Sequence, residues 1–114
     1  MFKYNEDEEL YLAVVDGVEF ASEEEPELSD EEVRGLAERY QENLPCILDF
    51  MLPALEGFFG KLDKAELPKA LGRPRIDLDA SEVSYCGHTL DETHIISFEF
   101  YDGFETLENL AIDG

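Results

Sequence analysis

The spacing of apolar residues differs between the middle of the chain and its C-terminal part, and this difference limits the folds that the chain can adopt. Between Val33 and Phe58 apolar residues recur every three or four positions, which is the spacing of one helix face. Between His94 and Tyr101 they alternate with polar residues, as in a strand with one buried face. Helical spacing followed by alternation favours an α+β fold, with helices packed on one face of an antiparallel sheet.

Two helices are predicted in the middle of the chain. Ser29 and Glu32 have the spacing of a capping box, which places the first helix start at Ser29. Pro45 should end or bend this helix and begin a second one, which Pro53 should kink, because proline lacks the backbone donor of a helix interior. The residues predicted to be buried are Val33, Leu36, Tyr40, Ile47, Phe50, Met51, Leu55 and Phe58, together with Cys46.

Turn residues predict a hairpin near the start of the chain. Asp16-Gly17 separates two β-rich runs, and both residues tolerate the positive φ angles of a two-residue turn. This turn would place Val15 opposite Val18 and Ala13 opposite Phe20. Further strands are predicted at residues 82–86, 94–101 and 110–112, and a short helix within residues 61–75.

The length of 114 residues fits a single domain, 1–114. We predict an N-terminal β-hairpin, central helices and C-terminal antiparallel strands, with the helices on one sheet face. The first residues lack the apolar core of a signal peptide, so a cytoplasmic location is predicted. The apolar run from Leu44 to Leu55 is too short to cross a bilayer.

Negative charge dominates the composition. Asp and Glu number 29 against 8 Lys and Arg, which gives a formal net charge of −21. This field repels nucleic acid and anionic lipid, so direct binding to either is not expected, whereas a basic protein is attracted. Acidity could also serve only solubility or a high-salt habitat. Five of the eight cations lie within residues 61–75, where they could pair with acidic neighbours.

Cys86, His88 and His94 are the candidates for chemistry. A thiol beside imidazoles could act as a nucleophile with its base, or supply part of a metal site. Zinc needs about four ligands at recognisable spacing, and acidic surroundings disfavour a reactive thiolate. No phosphate-binding loop, nucleophile elbow or Rossmann fingerprint is present. We therefore predict a binding protein without cofactor, metal or catalytic residues.

Tyrosines interspersed with carboxylates offer a surface that can hold Arg and Lys side chains. The acidic clusters and nearby tyrosines define the predicted partner-binding set. Its members are Glu6, Glu8, Glu9, Tyr11, Glu23, Glu24, Glu25, Asp91, Glu92, Tyr101, Asp102 and Glu105.

The C-terminal third resembles small acidic bacterial α+β proteins of unassigned function, some of which look like immunity proteins of toxin–immunity systems. The resemblance rests on residues 71–76, on the strand pattern of residues 94–100 and on Leu110-Ala111-Ile112 followed by Asp113-Gly114. It implies a non-enzymatic protein that neutralises a partner. Together with the acidic charge, this predicts an inhibitor or immunity-type protein that docks on a basic partner. Two alternatives are a nucleic-acid mimic that blocks a DNA- or RNA-binding protein, and a small metal-binding protein or enzyme that uses Cys86, His88 and His94.

Overall fold

The computed structural model describes residues 1–114 and contains one seven-stranded sheet, one long helix and one short helix. The predicted α+β class is confirmed. In chain order the elements are β1 (Lys3–Asn5), β2 (Leu10–Val15), β3 (Val18–Ser22), α1 (Asp30–Phe59), α2 (Leu67–Leu71), β4 (Arg75–Asp77), β5 (Glu82–Tyr85), β6 (Ile95–Tyr101) and β7 (Thr106–Asp113).

The strands lie in the sheet in the same order as in the chain. All neighbours are antiparallel except β3 and β4, which are parallel. A parallel pair needs a long crossover, and here α1 and α2 provide it. We call the β3–β4 junction the seam, since it alone joins the first three strands to the last four.

The hairpin predicted at Asp16-Gly17 is confirmed. Asp16 has a φ of 49° and Gly17 a φ of 78°, so both turn residues adopt the left-handed backbone that this type of turn requires. The observed register places Val15 opposite Val18 and Ala13 opposite Phe20, as predicted. Local turn chemistry therefore sets the register of β2 against β3.

The start of α1 is also confirmed, but the prediction of two helices is wrong. The Ser29 hydroxyl accepts a hydrogen bond from the Glu32 amide, and the Glu32 carboxylate accepts one from the Ser29 amide. From this capping box α1 continues without a break for 30 residues, through Pro45 and Pro53.

Burial explains why two prolines do not break α1. Pro45 and Pro53 are both exposed, and the carbonyls that lose a donor belong to Gln41 and Asp49, which are exposed as well. Water can therefore reach these carbonyls. The opposite side of α1 carries a continuous buried stripe on both sides of each proline, and its packing outweighs the local cost. This stripe consists of Val33, Ala37, Tyr40, Ile47, Leu48, Met51 and Leu55.

The remaining elements agree with the predictions in part. The short helix is present as α2 and ends at Gly72, whose φ is 75°. Strands β5 and β6 match their predicted ranges to within one residue at each end, whereas β7 is longer than predicted. The three-residue strands β1 and β4 were not predicted, because segments this short carry no alternation.

Two residues predicted to be buried lie at the surface instead. Phe58 is 51% exposed in the last turn of α1, where its ring contacts only the rings of Phe59 and His94 among the aromatic residues. Cys46 is exposed because it shares the solvent side of α1 with Asp49, three residues further on. Among the other predicted core residues, Leu36 and Phe50 are partly buried.

A buried pair of phenols connects α1 to β5. The hydroxyl oxygens of Tyr40 and Tyr85 lie 2.6 Å apart, and both residues are buried. Burial raises the pKa of Tyr40 to about 12, although its hydrogen bond with Tyr85 opposes the shift. Burial and the neighbouring Tyr40 raise the pKa of Tyr85 well above its usual value. Both phenols are therefore neutral at physiological pH, and one donates to the other.

The two phenols should be energetically coupled. Replacing both should lower the free energy of unfolding by less than the sum of the two single replacements. Tyr40→Phe or Tyr85→Phe leaves one buried hydroxyl without a partner, at a cost of about 1–3 kcal/mol. Removing both hydroxyls leaves no unpaired group, so the double variant should cost less than the sum of the two single variants. Urea unfolding of the three variants measures this coupling, and strictly additive losses would contradict it.

Candidate functional site on the open face of the sheet

One face of the sheet points away from α1. Side chains alternate between the two faces of a strand. Phe98 of β6 contacts Phe50 of α1 and shares the core with Val83 of β5, whereas Glu82 and Glu99 occupy alternate positions on the same strands. We call the face that carries Glu82 and Glu99 the open face.

Four carboxylates stand in a row across the open face. The register places Asp77 opposite Glu82, Glu82 opposite Glu99, and Glu99 opposite Glu108, on four consecutive strands. Neighbouring strands are about 4.8 Å apart, and like charges placed directly opposite each other destabilise a sheet. None of the four forms an ion pair with Lys or Arg. We call these residues the carboxylate ladder.

The local surroundings differ between members of the carboxylate ladder. Partial burial and the charges of Asp77, Glu99 and Asp113 raise the pKa of Glu82 above its usual value. The pKa of Glu99 is lowered, because the Tyr101 hydroxyl donates to it at 2.6 Å, as does the Asn109 amide at 3.1 Å. Of these two residues, Glu82 is therefore the one whose ionised form a cation of another molecule would stabilise more.

The central cation of the open face is already neutralised within the chain. Arg75 of β4 bonds Glu19 across the seam at 2.6 Å, and holds both carboxylate oxygens of Glu8 at 2.7 and 3.1 Å. The hydrogen bond to Glu8 and the interactions with Glu19 raise the pKa of Arg75 further above its usual range. Arg73 lies 3.6 Å from Glu19, and Lys64 pairs with Asp49 on α1. Three of the five cations of residues 61–75 thus pair with acidic neighbours, whereas Lys61 and Lys69 do not.

Aliphatic side chains adjoin the carboxylate ladder on the open face. Leu12 of β2 is opposite Ala21 of β3, and Ala21 is opposite Asp77, so an apolar stretch leads directly into the row of carboxylates. Val14, two residues after Leu12, is 53% exposed. We call Leu12, Val14 and Ala21 the aliphatic patch. Of these three residues Ala21 is buried, with only 3% of its surface exposed, and Leu12 is partly exposed, so Val14 and Leu12 supply the accessible aliphatic surface beside the unpaired charge.

The residues predicted to bind a partner are spread over several parts of the molecule. Glu6, Glu8 and Glu9 lie in the β1–β2 turn, where Glu8 is held by Arg75. Tyr101 is on the open face, but Tyr11 points to the other face and contacts Tyr4. The rest occupy loops, with Glu23, Glu24 and Glu25 after β3, Asp91 and Glu92 before β6, and Asp102 and Glu105 in the β6–β7 turn. The structure does not bring the whole set into one site.

Cys86, His88 and His94 do not form a common site either. His88 is buried, its Nδ1 accepts a hydrogen bond from the Leu90 amide, and its Nε2 lies 2.6 Å from the His94 carbonyl oxygen. Both ring nitrogens are therefore engaged. His94 Nδ1 lies 2.6 Å from Asp91, whereas Cys86 is exposed and reaches only the Ser84 hydroxyl. No group of three His, Cys, Asp or Glu side chains is arranged to hold a metal ion.

The sequence did not predict the carboxylate ladder, because the sequence of a single strand does not determine its register against its neighbours. Glu82 and Glu99 occupy the polar positions of two alternating segments, and this signal is present in the sequence. Asp77 lies on β4, which was not predicted, and Glu108 lies in the extended part of β7. The alignment of all four requires the pairing of strands that are distant in the chain.

Comparisons with known proteins give no relative for this chain. No family model matches it, and neither do the curated proteins or the solved structures. Neither helix is both long and apolar enough to span a membrane. Function must therefore be inferred from the geometry and charge of the open face.

Replacing Glu82 by Gln should stabilise the fold at neutral pH. Because the pKa of Glu82 is raised in the folded state, its ionised form destabilises the fold at pH values above the ordinary pKa of 4.5. At pH values below 4.5 Glu82 is protonated in both states, and the destabilisation disappears. Since Glu82 is only partly buried, the gain should be below about 1 kcal/mol. Urea unfolding at pH 7 and under acidic conditions measures it, with Glu92→Gln in an exposed loop as the control. A destabilised Glu82→Gln protein at pH 7 would contradict this assignment.

Proposed function

We propose that the protein binds a basic protein partner through the open face and acts as an inhibitor or immunity-type protein. The observation that carries the proposal is the carboxylate ladder, a row of four acids without internal counterions on a face that points away from α1. The proposal includes the arrangement in which both helices lie on one side of the sheet and leave the other side free.

Charge favours a basic protein over other classes of partner. A net charge of −21 repels nucleic acid and anionic lipid, whereas it attracts and orients a cationic surface. A partner's Lys or Arg would also relieve the mutual repulsion of Glu82 and its neighbours. Mimicry of nucleic acid receives less support, because the ladder is a single row of charge and a duplex presents two strands.

The ladder should control the rate at which cationic molecules associate. We expect a Lys-rich unstructured peptide to bind quickly at low salt and more slowly as salt rises, because the screening length falls from about 30 Å at 0.01 M to about 8 Å at 0.15 M. The double replacement Glu82→Gln and Glu99→Gln should lower the on-rate strongly and change the off-rate less. Stopped-flow kinetics at two salt concentrations measures both rates.

A charge-matched variant tests whether the position of the charge matters. Glu38 and Glu42 are exposed on α1 and form no ion pair, so Glu38→Gln with Glu42→Gln removes the same charge from another side of the molecule. Equal loss of on-rate in the two double variants would contradict docking on the open face. In the native host, a basic protein captured by the wild type should be absent when the ladder variant is used.

A further inference from the structure

We infer that the partner element seated on the open face is an amphipathic basic helix that lies across the strands, with aliphatic residues on the aliphatic patch and one Lys or Arg per turn above the carboxylate ladder. This inference rests on the proposed function and specifies the form of its partner. Its basis is the single cross-strand row that begins at Lys3 of β1 and runs through Leu12, Ala21, Asp77, Glu82, Glu99 and Glu108.

The spacing of the row suits a helix. Successive ladder residues lie on strands about 4.8 Å apart, so the four carboxylates extend over roughly 14 Å. A helix rises about 5.4 Å per turn, so cations three or four residues apart recur at a similar interval over three turns. Flexible Lys and Arg side chains can absorb the remaining difference of about 0.6 Å per step, or roughly 2 Å over three steps.

The chemistry of the row changes from one end to the other. The partly exposed Leu12 and the buried Ala21 precede the carboxylates, with the exposed Val14 beside Leu12, and the carboxylates follow without interruption from Asp77 onward. Apolar contact supplies most of the affinity in an interface, whereas exposed charge sets the association rate and the register. The helix should therefore carry its aliphatic residues at one end and its line of cations at the other.

Charge complementarity selects this occupant over a second copy of the chain. Two open faces brought together would place one carboxylate ladder against another, and each chain has a net charge of −21. Arg75 could not offset this repulsion, because Glu8 and Glu19 already hold it, and Lys3, opposite Leu12 at the far end of the row, is a single cation against four carboxylates. A cationic helix instead brings the counterions that the ladder lacks.

Designed helical peptides test the inference on the intact protein. The stripe peptide, about 15 residues and roughly 22 Å long, has Leu in its first turn and Lys at one-turn spacing along one face. The scattered peptide has the same composition, with Lys distributed around the helix. We expect the stripe peptide to bind about tenfold more tightly, a difference of about 1.4 kcal/mol. Glu82→Gln with Glu99→Gln should remove this preference, and Glu38→Gln with Glu42→Gln should retain it.

The aliphatic patch is tested separately from the ladder. Val14→Thr keeps a β-branched side chain and Leu12→Thr introduces one. Thr suits a strand, so the fold should persist in both variants, which circular dichroism checks. Both variants should raise the off-rate of the stripe peptide severalfold. Neither should change the off-rate of a stripe peptide that has Gln in place of Leu.

The outcomes separate this inference from the proposed function. If the stripe and scattered peptides bind equally, and the ladder variant weakens both, the helical occupant is wrong and the basic partner stands. If neither peptide binds at low salt, or if the α1 variant weakens binding as much as the ladder variant, the proposed function fails as well. A dimer formed through the open face, detected by sedimentation and abolished by Val14→Thr, would also overturn the inference.

Discussion

The seam between β3 and β4 holds the structure together as one sheet. Three residue pairs join its strands, and on the open face Arg75 bonds Glu19 across the junction and Glu8 from the β1–β2 turn. On the core side Phe20 lies opposite Ile76, and both are fully buried. A chain with 29 acids and 8 cations thus places one of its few cations where the two halves of the sheet meet.

Repulsion between the like charges of the carboxylate ladder lowers the stability of the sheet, and the fold itself does not require this repulsion. Asp77 accepts hydrogen bonds from the Asp79 and Ala80 amides in the β4–β5 turn, but Gln or Thr in place of Glu82 would keep the strand polar on one side without placing like charges opposite each other. Local choices that oppose stability are expected where function needs them. The ladder therefore differs from the other acidic clusters, in which turns and loops leave charges in open solvent.

Features set by neighbouring residues could be predicted from the sequence, and features set by distant pairing could not. The Asp16-Gly17 turn and the Ser29 cap depend on a few adjacent residues, and both were predicted correctly. Pro45 and Pro53 were misread because packing of residues such as Met51 outweighs local helix breaking. The open face depends on β4, because this three-residue strand joins the two halves of the sheet. Its role follows only from its pairing with β3, which places Arg75 beside Glu19.

The seam is also the one pair of neighbouring strands that is far apart in the sequence. Every other strand pair joins neighbours connected by a turn or loop, so those contacts are local. The seam instead pairs Glu19 with Arg75 and Ala21 with Asp77, residues 56 positions apart in the chain, and closing this long segment costs conformational entropy before any contact rewards it. Non-local pairing of this kind slows folding. The hairpins and α1 can therefore form early and separately, and the sheet becomes continuous only when β4 reaches β3.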